Sequence, residues 1–185
     1  YDPKTDKFLA ASSKENIQNL PRDTKRFIGS DTNVILSADF AQLELRTIAA
    51  ITGDEAMCAL FRSGEDLHNY AAKQLFGAEY TKTDRQIAKV FNFSVLYGSG
   101  VVTIGLILLT QTGITLPTHK ITEYKKKWLE AFPGIAEWQR QGFTRHEMSM
   151  PHRTPHGRPY ASKRSTDHLS IENQGAGAEV ARIAL

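Results

Sequence analysis

The sequence predicts an α+β fold that is mainly α, on three observations. A short apolar run, Asn33-Val-Ile-Leu-Ser-Ala-Asp39, reads as a buried strand. Helical patterns then follow near 42–51, 54–62, 66–76 and 84–97, with Gly53, Gly64 and Gly77 as breaks between them. A stretch at 149–162, with its prolines and a His-Gly turn, reads as a hairpin near the C-terminal end.

Residues 1–32 are polar and loop-rich, and the strand follows them. Beyond Tyr97-Gly98-Ser99-Gly100 a short apolar helix is expected at 101–109. A longer one near 119–131 puts Ile121, Tyr124, Trp128, Leu129 and Phe132 on one face, with Lys125-Lys126-Lys127 on its solvated side. Pro133-Gly134 breaks it, another helix runs near 135–147, and the last begins near Ile171. Trp128 and Trp138 are expected in the core. There is no internal repeat and no low-complexity segment.

The 185 residues suffice for one domain or parts of two. A net charge of +3 and a pI near 9.0 are compatible with a phosphate-facing surface without requiring one. Cys58 is the single cysteine, which excludes an intrachain disulfide and a cysteine zinc site. Leu106-Ile-Leu-Leu109 is far too short to span a bilayer, so no membrane role is expected. The chain opens at Tyr1 without a secretory leader pattern, and a reducing cytoplasmic setting is the expectation.

The chemistry concentrates in Arg85 to Gly98. Arg85, Lys89, Phe93 and Tyr97 step by four, and each step drifts about 40° around a helix, so the four sweep a band of roughly 120° on one face. Two cations followed by two aromatics suit a nucleoside triphosphate: charge for the phosphates, a ring for the base or sugar. Thr83 and Gln86 fit a capping box, which places Arg85 and Lys89 near the positive end of the helix. The same pattern also fits an ordinary amphipathic helix with Ile87, Val90, Phe91, Val95 and Leu96 as its core. Asp39, at the end of the strand, has the chemistry of a Mg²⁺ ligand, and equally that of a turn residue capping the helix after it.

Other motifs carry less. Gly98-Ser99-Gly100 lacks the third glycine and the preceding strand of a dinucleotide fingerprint. His152 and His156 are four apart, but Pro155 denies them a common helix face for zinc.

Together these segments resemble the family A DNA polymerases. Asp39-Phe-Ala-Gln42-Leu-Glu44-Leu-Arg46 looks like that family's motif A, and Arg85 to Gly98 looks like its motif B, the fingers helix. Gly64-Glu-Asp-Leu-His68, Leu75-Phe-Gly77, Asn16-Ile-Gln-Asn-Leu-Pro21, Ala131-Phe-Pro-Gly134 and Gln174-Gly175 match in order along nearly the whole chain.

The resemblance implies a helical fingers subdomain on part of an antiparallel-sheet palm: residues 1–44 partial palm, 45–165 fingers, 166–185 a palm helix. It implies template-directed addition of dNTPs to a primer 3′-hydroxyl, with two Mg²⁺ ions. Asp39 and the Phe40 backbone carbonyl would hold metal. Asp39, Arg85 and Lys89 would be catalytic. Gln42, Glu44, His68, Arg85, Lys89, Phe93 and Tyr97 would bind the dNTP, and Tyr97, Gly98 and Gln174 the primer–template DNA. Glu44 would block a ribose 2′-hydroxyl, helped by a hydrogen bond to Tyr97. Phe93→Tyr would ease dideoxynucleotide incorporation.

Departures from the family pattern matter too. The family's second metal aspartate lies in a His-Asp-Glu turn beyond the Gln174 helix, and no histidine here is followed by Asp-Glu. The chain is therefore expected to be inactive alone and to need the remaining palm and the thumb. A non-catalytic nucleotide- or DNA-binding module is the alternative. Thr166 and Ser170 stand where the family often has Arg and Asn, Lys7 where Arg is usual, and Ser94 where Gly is common.

Overall fold

The computed structural model describes residues 39–160 and 163–184. The expected strand residues 33–38, the Thr5-Asp6-Lys7-Phe8 segment and Asn16–Pro21 lie outside the described residues. The chain forms two compact units, Tyr1–Phe40 and Ala41–Leu185. In the first, Asp39 and Phe40 are described, and both are exposed.

The second unit is built of α1 (Leu43–Thr52), α2 (Glu55–Ser63), α3 (Leu67–Phe76), α4 (Lys82–Leu96), α5 (Val101–Thr112), α6 (Thr118–Ala131), α7 (Pro133–Glu147), the strands β1 (His152–Arg153) and β2 (Pro159–Tyr160), and α8 (Asp167–Ala184). The strands pair antiparallel, His152 opposite Tyr160, around a turn at Gly157. The hairpin expected at 149–162 is thus present, and the described residues are mainly helical.

Local chemistry sets the helix ends. Asp54 and Asp66 cap α2 and α3 by accepting from the Met57 and Asn69 N–H groups at 2.9 and 2.8 Å. Gly53, Gly64 and Gly113 stop α1, α2 and α5 in the left-handed conformation that costs glycine least. No helix among the described residues is long and apolar enough to cross a membrane.

Three boundaries differ from expectation. The capping box of α4 closes at Thr81, not Thr83: the Thr81 N–H donates to the Asp84 carboxylate at 2.8 Å, and the Asp84 N–H donates back to Thr81 Oγ1 at 3.2 Å. The charged Asp84 is the better acceptor at a helix N-terminus than neutral Gln86, so the helix starts a half-turn earlier. Arg85 then sits just past the first turn. The last helix starts at Asp167 rather than Ile171, because the Asp167 carboxylate gathers the Lys163 and Arg164 N–H groups at 3.0 and 2.9 Å. Helix α5 continues to Thr112, where Gly113 ends it.

Helix α4 is central to the fold. Ile87, Val90, Phe91, Val95 and Leu96 are buried as expected, packed among α3, α5 and α6. Trp128 and Phe132 fill the same core with ring centroids 4.8 Å apart. Helices α1, α7 and α8 pack on one another beside it. Trp138 is buried and donates to Glu172 Oε2 at 3.1 Å, tying α7 to α8. Lys126 and Lys127 are solvated as expected and pair with Glu130 and Glu123. Lys125 departs from that pattern. It is half-buried and donates to the Ser99 carbonyl at 2.8 Å, and burial lowers its pKa.

The α1–α2 turn and the start of α7 approach closely. Asp54 is buried, and its Oδ2 accepts the Gly134 N–H at 2.8 Å. A Cβ on Gly134 would lie 2.9 Å from the Asp54 Cα, so only glycine fits there.

Candidate nucleotide and DNA site

The α4 periodicity places Arg85, Lys89, Phe93 and Tyr97 along one partly open face. Lys89, Phe93 and Tyr97 line a cavity of about 260 Å³ together with Ile107 and Gln111 of α5. Lys89 is exposed and makes no ion pair among the described residues. Arg85 is engaged by its own chain, donating to Asp66 Oδ2 at 2.9 Å and to Asn69 Oδ1 at 2.5 Å. Burial pushes the Asp66 carboxyl up, but the Asn69 N–H and the Arg85 charge outweigh it and hold the pKa below the usual range.

His68 is buried on α3 beside Phe93, ring centroids 6.0 Å apart. Its protonation follows from its neighbours. The Trp128 indole is a donor only, and it donates to Asn92 Oδ1 at 2.7 Å. The Asn92 amide nitrogen therefore faces His68 Nδ1, at 2.7 Å. Nδ1 must accept, so the neutral ring carries its proton on Nε2. Burial lowers the His68 pKa. Arg85 and Lys89 reinforce this, and Asp66 opposes it.

Tyr97 ends α4. Its hydroxyl donates to Glu44 Oε2 at 2.7 Å and accepts from Asn173 Nδ2 at 3.2 Å, so the expected Tyr97–Glu44 bond is present. Burial, then the Glu44 hydrogen bond and charge, push the phenol pKa well above its usual value, while Asn173 and Gln174 oppose the shift. Gln174 is otherwise exposed. Gly98 follows at φ +72°, and a Cβ there would meet Leu169 Cδ1 at 2.9 Å and Phe143 Cζ at 3.1 Å. The groups that approach this glycine are the chain's own. Gln42 precedes α1 at φ 55°, a left-handed conformation costing a non-glycine residue roughly 1–2 kcal/mol.

Four residues that sequence reasoning passed over hold this arrangement. Gln139 of α7 is buried and donates to the Val95 and Leu96 carbonyls at 2.5 and 2.9 Å, satisfying the end of α4 from outside it. Asn92 joins α3, α4 and α6, and Thr47 with Asn173 joins α1 to α8 at 2.5 Å. The one available signal was a polar residue on an otherwise apolar helix face.

The Asp39 carboxylate and the Phe40 carbonyl are hard oxygen donors of the kind Mg²⁺ prefers. Among the described residues no group of three or more His, Cys, Asp or Glu side chains could form a closed metal site. The donors here fit Mg²⁺ as part of a ligand set, not as a whole one.

The model of DNA polymerase family A matches residues 9–185. The chain is 27% identical to DNA polymerase I of Aquifex aeolicus over 181 residues, covering 95% of this chain and 32% of that protein. It is 30% identical to DNA polymerase I of Lactococcus lactis over 198 residues, covering 95% of this chain and 22% of that protein. The DNA polymerase of Mycobacterium phage D29 is 33% identical over 143 residues, 71% of this chain and 23% of that one. The chain thus spans a third or less of the length of these relatives. Its fold matches the POL domain of Pol1 from M. smegmatis, solved with DNA primer–template and dNTP, at TM-score 0.65 and 23% identity, over 79% of this chain and 27% of that one.

Proposed function

This chain belongs to DNA polymerase family A, and from that premise we propose that it supplies the nucleotide-selecting part of a template-directed DNA polymerase. Residues 45–165 are assigned to the fingers, and 1–44 and 166–185 to the palm. The reaction adds a dNTP to a primer 3′-hydroxyl and releases pyrophosphate. The observation that carries this reading is the α4 face. Lys89, Phe93 and Tyr97 open on one cavity, Arg85 lies one turn before them, and Glu44 is bonded to Tyr97.

Each residue then has a chemical task. Arg85 and Lys89 hold the triphosphate by charge-assisted hydrogen bonds, the strongest available to phosphate. Arg85 must exchange Asp66 for a phosphate oxygen to do so. His68 offers the phosphates its Nε2–H as a neutral donor, with Nδ1 occupied by Asn92. Lys89 passes a proton to the departing pyrophosphate. Phe93 stacks on the sugar and base, and Gln42 contacts the same nucleotide. Tyr97, Gly98 and Gln174 face the nascent pair and the primer–template. Glu44 fills the space a ribose 2′-hydroxyl would take, selecting deoxynucleotides.

Asp39 and the Phe40 carbonyl would hold Mg²⁺, two ions with ligands from the remaining palm. When bound, these ions neutralise phosphate charge and lower the pKa of the attacking hydroxyl. The partners are primer–template DNA, dNTPs and the remaining palm and thumb. A reducing cytoplasmic setting suits the single, half-buried Cys58.

Primer extension on primed DNA with Mg²⁺ and dNTPs tests the reading. The polymerase containing this chain should extend the primer, Asp39→Ala should abolish extension, and the 185 residues alone should not extend. Extension that survives Asp39→Ala would overturn it. In that event dNTP binding lost in Lys89→Ala would point to a non-catalytic nucleotide-binding module.

A further inference from the structure

A chain of side-chain hydrogen bonds, buried at its far end, runs behind Glu44. Asn173 of α8 has no exposed surface, and Thr47 of α1 is nearly as buried. Thr47 Oγ1 lies 2.5 Å from Asn173 Oδ1, Asn173 Nδ2 lies 3.2 Å from the Tyr97 hydroxyl, and that hydroxyl lies 2.7 Å from Glu44 Oε2.

The direction of every bond is fixed. A carboxylate only accepts, so Tyr97 gives its single proton to Glu44. The phenol oxygen can then only accept, and the group facing it must be the Asn173 NH₂. That turns Asn173 Oδ1 toward Thr47, whose hydroxyl must donate. The Leu43 and Glu44 carbonyls, at 3.1 and 3.0 Å, are longer alternatives for the same Thr47 proton. Donation runs one way, from Thr47 through Asn173 and Tyr97 to Glu44, and each bond polarises the next. Reversing the Asn173 amide would set Oδ1 against the phenol oxygen and leave Tyr97 to choose between two acceptors.

We propose that Thr47 and Asn173 are positioning residues for sugar selection. They aim the Tyr97 hydroxyl at Glu44 and so fix the carboxylate where a ribose 2′-hydroxyl would go. This rests on the role proposed above for Glu44. Neither Thr47 nor Asn173 touches the nucleotide. They act by presenting a donor to the phenol oxygen, which leaves the Tyr97 proton for Glu44.

The test measures kcat/KM for a ribonucleotide and for the matching deoxynucleotide in the polymerase containing this chain. Thr47→Val keeps the shape and removes the donor, and Asn173→Leu, at similar volume, removes both of the bonds that Asn173 makes. Each should raise the ribo-to-deoxy ratio roughly three- to tenfold, the scale of one hydrogen bond's contribution. Thr47→Ser, which keeps the hydroxyl, should restore the parental ratio. In a Tyr97→Phe background neither substitution should raise the ratio further, since there is no phenol proton left to aim. A purely packing role would predict the same increment with or without that hydroxyl, and this result would overturn the inference. Glu44→Ala separates the two levels. If it raises the ratio while Thr47→Val and Asn173→Leu leave it alone, the positioning role is wrong and the Glu44 assignment stands. If Glu44→Ala leaves the ratio alone, the Glu44 assignment falls and takes the positioning role with it.

Discussion

Trp128 donates its indole N–H to Asn92 Oδ1 at 2.7 Å, and this contact decides which nitrogen of His68 carries a proton. A residue of α6 thereby sets the protonation of a residue of α3 through one of α4. Trp128→Phe should free the Asn92 amide to turn over and let His68 adopt either tautomer. Nitrogen-15 NMR of the imidazole should show a single Nε2–H tautomer in the parent and a mixture in the variant. A mixture already in the parent would contradict the assignment. The lost bond and packing should also cost about 1–3 kcal/mol of stability, read from a denaturant midpoint.

Asp66 serves two partners with two oxygens: Oδ1 caps α3 and Oδ2 holds Arg85. Asp66→Asn retains a carbonyl for the cap and removes the charge that holds Arg85. Triphosphate binding should tighten about two- to fivefold, by titration calorimetry, because Arg85 no longer has an ion pair to give up. The stability change should stay under about 1 kcal/mol, as for other half-exposed pairs. Weaker triphosphate binding would mean that Asp66 orients Arg85 instead of competing for it.

Gly142 sits where α7 crosses His168 of α8, and a Cβ there would overlap the His168 ring at Nε2. Gly142→Ala should destabilise by roughly 3 kcal/mol, since the His168 ring it would strike is buried and has little room to turn aside. Adding His168→Ala should recover much of the loss. Additive losses in the double variant would place the strain elsewhere.

The same histidine gives a pH dependence. His168 is buried against Phe143 and stacks on His152, and neither of its ring nitrogens has a well-formed hydrogen bond, the Ser165 backbone being at most a weak partner. Burial, with His152, His146 and Arg145 nearby, lowers its pKa to about 4, and burial also lowers that of His152. Between about pH 6.5 and 4 the unfolded chain binds more protons than the folded one. The contribution is complete above the unfolded pKa and drains away as pH falls toward the folded one. Lowering the pH from 7 to 5 should cost about 2 kcal/mol through His168. His168→Leu should flatten that part of the stability curve.

Most of the helical body was legible because its apolar residues recur at helical spacing and glycines mark the breaks. Ile87, Val90, Phe91, Val95 and Leu96 are buried as their period required. The start of α4 was misplaced because Thr81-x-x-Asp84 and Thr83-x-x-Gln86 compete for one cap, and periodicity does not weigh a carboxylate against an amide. Tyr97 and Glu44 could be paired only through the family likeness, since 53 residues separate them. Thr47, Asn92, Gln139 and Asn173 were passed over for a further reason. A lone polar residue on a helix reads as solvent-facing, and its burial becomes tolerable only once a distant partner satisfies it. Thr47 and Asn173 are 126 residues apart.

The contact between Asp54 and Gly134 has a mechanical consequence. It joins two points 80 residues apart in the chain, so the stretch from α2 to α6 begins and ends beside itself. Arg85, Lys89, His68 and Phe93 all lie within that stretch, whereas Glu44, Thr47 and Asn173 lie outside it. The Tyr97 hydroxyl and the clasp of Gln139 on the end of α4 bridge the two. The spacing between the Arg85 and Lys89 cations and the Glu44 carboxylate is therefore held by bonds between parts of the chain far apart in sequence.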